Sequence, residues 1–203
     1  MDSIANILLR PRRIRYSTLQ LGPKSFLVDN KKFQRKDLHI RNTRGLKLKC
    51  SYFKAPNSKG CVVYCHGNSG NRLEALSVLA VALKSSLNVF CFDFSGAGLS
   101  EGEKVSLGYF EQEDVKCVVA YLRWSGERRL GLWGRSMGAV AALLYASSDE
   151  SVSFVVADSP FASLELLCSD VMHKHIRLPS LLVRFFIGRF RKKVMQLGGF
   201  DLR

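Results

Sequence analysis

The 203-residue chain is 47 % hydrophobic, enough to bury one substantial core, and about 100–200 residues is the ordinary size of a single domain. Its net charge of +14 sits at the ends, with +10 in residues 1–50, −3 in 51–173 and +7 in 174–203, so the charge speaks of partners and not of chemistry in the middle. No apolar run approaches the ~18 residues a membrane-spanning helix needs, and the first residues place their charges after the apolar stretch; neither a transmembrane nor a secreted protein is expected.

In chain order, residues 1–24 read as a basic N-terminal arm and residues 25–203 as one domain. Within residues 1–16, Ile4, Ile7 and Leu8 fall on one helical face and are followed by Arg10, Arg12, Arg13 and Arg15. Such a segment could lie on an anionic membrane surface, where each basic residue contributes about 1 kcal/mol. The simpler reading is an arm packed across the body with solvated arginines, in a cytoplasmic protein that is at most peripherally membrane-associated.

Residues 33–41 and 46–54 alternate apolar and polar side chains around a turn at 42–45, which predicts an antiparallel hairpin. From residue 60 the pattern changes to continuous apolar runs at 61–65, 89–92, 130–133 and 152–157, as expected of parallel strands buried on both faces. Between and after them, residues 73–84, 109–125, 137–147 and 163–173 carry apolar residues at helical spacing. The alternation predicts an α/β fold, a mostly parallel sheet flanked by helices with the hairpin at its N-terminal side. Residues 181–197 read as a basic amphipathic helix, with Leu182, Phe185, Phe186 and Phe190 on one stripe.

Six cysteines show no C-x-x-C spacing and mostly sit in apolar runs, so reduced, buried thiols are expected. No pattern calls for a metal or a cofactor. Nucleic acid is not an expected partner, because aromatic residues are not interleaved with the basic ones.

Chemistry concentrates in Gly134-Arg135-Ser136-Met137-Gly138, which joins a predicted buried strand to a predicted helix. A serine there is held in a strained turn with its hydroxyl pushed out at the strand end, and the two glycines leave room for the bend. Ser136 is therefore the candidate nucleophile. The N–H of Met137, at the start of the helix, is a candidate donor to a developing oxyanion.

A second motif, His66-Gly67-Asn68-Ser69-Gly70-Asn71, follows the strand at 61–65 and stands where the other oxyanion donor should lie; the N–H of Asn68 is the candidate. His66 itself precedes the nucleophile and is expected to be locked into this turn rather than to act as a base. A third Gly-rich stretch, residues 93–100, lacks the Lys of a phosphate-binding loop and reads as a turn ordered by Asp93 and permitted by Gly96 and Gly98.

These three stretches, together with Asp158-Ser159-Pro160-Phe161, resemble the α/β-hydrolase superfamily, and within it the serine aminopeptidase S33-like hydrolases. The resemblance implies Ser136 as nucleophile with Met137 and Asn68 as oxyanion-hole amides, acting on a small-molecule or acyl substrate as an esterase, thioesterase or peptidase. In that family an acid and then a histidine follow on later strands. Here the residues after Asp158 read as helices and a basic tail, so a domain lacking those last elements is expected. Asp158 is an acid at the correct strand end, the C-terminal end of the strand at 152–157, and His173 and His175 follow it. The alternative function is a non-catalytic, hydrolase-like binding protein.

Overall fold

In the computed structural model, residues 13–163 and Leu166 are described. Seven strands form one sheet: β1 (Ser25–Val28), β2 (Lys31–Arg41), β3 (Lys47–Lys54), β4 (Cys61–Cys65), β5 (Asn88–Phe92), β6 (Leu130–Arg135) and β7 (Val152–Asp158). Their spatial order is β1-β2-β3-β5-β4-β6-β7. The first three strands are antiparallel to their neighbours, while β5, β4, β6 and β7 run parallel. The helices are α1 (Leu76–Lys84), α2 (Tyr109–Trp124) and α3 (Met137–Ala146).

The predicted hairpin is present as β2 and β3. Asn42 closes its turn by accepting the N–H groups of Arg44 and Leu46 on its own side-chain oxygen, and Gly45 supplies the positive φ of +76° that the turn requires. β1, which pairs with β2, was not anticipated; four residues offer too short an alternation to register as a strand. The helix predicted from residue 73 begins as a 3-10 turn, Arg72–Ala75, before α1 takes over.

Every residue of β4 and β5 is buried, as helices on both faces of a parallel sheet demand. One cluster joins the sheet to α2 and α3 through Phe90, Phe92, Leu132, Val115, Leu122 and Ala141; the opposite face packs Phe53, Tyr64 and Val89 against Ala75, Ala82 and Leu83. Each such large side chain contributes about 1.5–3 kcal/mol by burial. Cys50, Cys61, Cys65 and Cys91 are buried free thiols and Cys117 is a half-buried one. β7 forms the edge of the described sheet, with Phe154 and Val156 partly exposed. Among the described residues, no helix is long and apolar enough to cross a membrane. Cys168, residues 1–12 and the two further helices expected at 163–173 and 181–197 fall wholly or almost wholly outside the described residues.

Candidate active site

The parallel strands carry their chemistry at their C-terminal ends, and the register shows which ends meet. Cys65 on β4 pairs with Gly134 on β6, and Arg135 pairs with Asp158 on β7, so the turn after β4, Ser136 and the end of β7 lie side by side.

Ser136 stands between β6 and α3 with φ +50° and ψ −117°, a conformation costing of order 1–3 kcal/mol for a residue with a side chain. The surroundings hold it there. Its N–H donates to Asp158 O at 2.8 Å, and its carbonyl accepts from Ala139 and Val140 at 2.9 and 3.1 Å. A Cβ at Gly134 would stand 2.3 Å from Gly138 O, and one at Gly138 would stand 2.1 Å from Cys65 O, so α3 starts pressed against the backbone of β4 and β6. Met137 and Gly138 precede the first intrahelical donor, Ala139, which leaves their N–H groups outside the helix ladder.

The turn 66–70 borders Ser136 from the β4 side: a Cβ on Gly67 would lie 3.9 Å from the Cβ of Ser136. His66 anchors this turn. Its ring is fully buried, Nε2 accepts the Phe94 N–H at 3.0 Å, and Nδ1 therefore carries the proton and donates to Gly67 O at 2.7 Å. Burial pushes its pKa below the ordinary 6.5. Both ring nitrogens are engaged, so the geometry gives His66 a structural place rather than a basic one.

Glu74, which sequence reading passed over, reaches back to accept the Gly67 N–H at 3.2 Å and lies 4.0 Å from Arg135 Nη1. The space for it comes from Gly70, where a Cβ would stand 1.9 Å from Glu74 Oε1. Asn71 and Glu74 have the spacing of an N-cap and its third helical residue, a signal that could have marked the pair.

Asp93 orders the third Gly-rich stretch. Its Oδ1 accepts the Arg72 N–H at 2.8 Å and its Oδ2 the Leu99 N–H at 2.9 Å, while Gly96 and Gly98 take φ of +83° and +47°. Asp158 ends β7 with an exposed side chain that accepts from the Ser159 hydroxyl at 2.8 Å; its bond to Ser136 runs through the backbone carbonyl and not through the carboxylate. His39 lies on β2, four strand positions from β6, or about 19 Å across the sheet. His173 and His175 lie outside the described residues. Arg13, expected to be a solvated arginine of the basic arm, instead donates to loop carbonyls of the body.

At the C-terminal end of β6 an open cleft of about 440 Å³ is lined by the apolar Tyr64, Leu73, Val78 and Trp133 and by the polar Glu74, Ser77, Arg135 and Asp158.

A mixed sheet with helices on both faces and a strained serine at a strand-to-helix junction define an α/β-hydrolase fold. The chain belongs to the serine aminopeptidase, S33 family, whose profile matches residues 56–194. It is 32 % identical to the uncharacterised protein YqkD of Bacillus subtilis over 70 % of this chain and 48 % of that protein. To the alpha/beta hydrolase domain-containing protein 17B of Xenopus tropicalis it is 28 % identical, over 61 % and 43 % respectively. The chain thus spans about half the length of the curated relatives it matches. Among solved structures, the esterase Pf2001 of Pyrococcus furiosus superimposes with a TM-score of 0.70 at 27 % identity, covering 90 % of this chain and 69 % of that one.

Proposed function

We propose that this chain carries the nucleophile and oxyanion hole of a serine hydrolase acting on a small acyl ester or thioester. The observation that carries the reading is the backbone of Ser136, held at positive φ where Gly134 and Gly138 admit no side chain. In the reaction Ser136 Oγ attacks the acyl carbon and loses its proton to a base, while the N–H groups of Met137 and Asn68 take the negative oxygen. The alcohol or thiol leaves with a proton, and water then releases the acid from the acyl-enzyme. The likeness to an esterase structure favours an oxygen ester, and the side of the neighbouring cleft formed by Tyr64, Leu73, Val78 and Trp133 suits a hydrocarbon acyl or alkyl group.

The base this route needs is not among the described residues, where His66 is engaged at both nitrogens and His39 is remote. Turnover of a short-chain p-nitrophenyl ester by the full chain and by Ser136→Ala tests the proposal. A rate that falls to the solvent background in the variant is expected; equal rates in the two proteins would overturn it.

A further inference from the structure

Between residue 13 and the 3-10 turn at Thr18–Leu21 the chain has no regular structure, yet two of its side chains reach the loop that follows β5. Arg13 fans its guanidinium over that loop: Nε donates to Gly96 O at 3.2 Å, Nη1 to Ser100 O at 3.0 Å, and Nη2 to Gly102 O. Three carbonyls converging on one cation suit a rigid planar fork and not a compact ammonium. Tyr16 Oη donates to Asp93 Oδ2 at 2.8 Å. Burial, reinforced by the Asp93 carboxylate, pushes the phenol well above its ordinary pKa, so it remains a donor.

The same Asp93 is fully buried and holds the far end of the oxyanion turn through the Arg72 N–H, and the Arg72 guanidinium lies 5.7 Å over the Tyr16 ring. One residue on, the Phe94 N–H holds the near end of that turn through His66 Nε2. Arm, loop and turn close on one another around a gap of only about 10 Å³, bordered by Arg13, Ile14, Asn68, Gly70 and Gly98, which is at the limit of what one water occupies. The turn needs such support, since a short stretch containing Gly67 and Gly70 has little stiffness of its own.

We propose that Arg13 and Tyr16 are positioning residues that clamp the 93–102 loop against the turn 66–72 and so hold the Asn68 N–H where it meets the oxyanion formed at Ser136. The inference rests on the serine-hydrolase reading for its kinetic part, but not for the clamp itself. An amide displaced by about 1 Å costs roughly 10²-fold in rate even when the perturbation is remote.

The test uses the full chain with a fluorophosphonate probe, labelling being followed against probe concentration to separate the maximal rate from the half-saturating concentration. Tyr16→Phe and Arg13→Lys should each lower the maximal labelling rate about 10- to 100-fold with the half-saturating concentration unchanged, at a temperature where circular dichroism shows both folded. Leu19→Ala, an 84 % exposed residue of the same segment, should label like wild type. Wild-type labelling by Tyr16→Phe and Arg13→Lys, or a change confined to the half-saturating concentration, overturns the proposal. Hydrogen exchange of the amides of residues 67–70 in a Ser136→Ala background supplies a readout independent of chemistry. Tyr16→Phe should speed that exchange at least tenfold, and unchanged exchange refutes the clamp. If wild type fails to label while Tyr16→Phe speeds exchange, the hydrolase reading falls and the clamp stands.

Discussion

Gly138→Ala isolates the feature on which the site depends. The new Cβ would stand 2.1 Å from Cys65 O and 2.6 Å from His66 O, both backbone atoms of β4 and the turn behind it. Neither can swing aside, so the first turn of α3 must retreat by roughly 1 Å or more to restore ordinary contact, taking the Met137 N–H and Ser136 with it. Overpacking of this kind costs about 1–3 kcal/mol. Under the proposed function, displacing Ser136 and the Met137 N–H should cost about 10²-fold in reactivity on top of it. Gly131→Ala is the control, because its Cβ would meet the ring tip of Phe154 at 2.2 Å, an equally short contact but one with a partly exposed side chain on β7, the edge strand among the described residues, that can rotate away. Urea denaturation and fluorophosphonate labelling of both variants measure the two effects. Gly138→Ala should lose stability and reactivity, while Gly131→Ala should lose less than about 1 kcal/mol and keep its reactivity. Wild-type behaviour of Gly138→Ala would refute the view that glycine is required there.

His66 should stay neutral below the pH at which an exposed imidazole charges, because its folded pKa is depressed. Its stabilising contribution is complete above the unfolded value near 6.5 and is lost as the pH falls from there toward the folded pKa, at up to about 1.4 kcal/mol per pH unit. Imidazole NMR shifts followed from pH 7.5 to 5.5 check this, and a midpoint at or above 6.5 would contradict it. Glu111, buried at the start of α2, accepts from the Ser106 N–H at 3.0 Å, the Ser106 hydroxyl at 2.6 Å and the Gly108 N–H at 2.8 Å. Glu111→Ala should therefore destabilise by about 2–3 kcal/mol in urea denaturation, since it strands two buried N–H groups. Glu111→Gln should cost less, because burial already penalises the charged carboxylate and raises its pKa.

What the sequence makes legible follows from how far each signal reaches. The parallel strands and α2 and α3 lie within a residue or two of their predicted places, because continuous apolar runs and helical spacing are local and strong. The bend at Ser136 was legible for a related reason: two glycines around a serine at a strand-to-helix junction encode a backbone conformation, and Ser136 has the positive φ that such a turn needs. The Asp93 turn was legible too, since its acceptor and its glycines are close in sequence. Tyr16 and Arg13 were not, because their partners lie 77 and more residues away and nothing near either residue announces a buried carboxylate or a ring of carbonyls. Glu74 escaped notice because a carboxylate three residues after Asn71 reads as a helix cap, whereas its partner is the Gly67 N–H of the turn before. Asp158, singled out by its strand-end position, keeps that position but turns its carboxylate to Ser159. A strand register places a residue at an edge without deciding where its side chain points.

The central claim, that Ser136 is a usable nucleophile, is tested most directly by treating the full chain with a fluorophosphonate and mapping the adduct by peptide mass spectrometry. One adduct on the peptide that contains Ser136, absent from Ser136→Ala and slowed about 10²-fold in Gly138→Ala, is the predicted result. No adduct, or one that persists in Ser136→Ala, would contradict it.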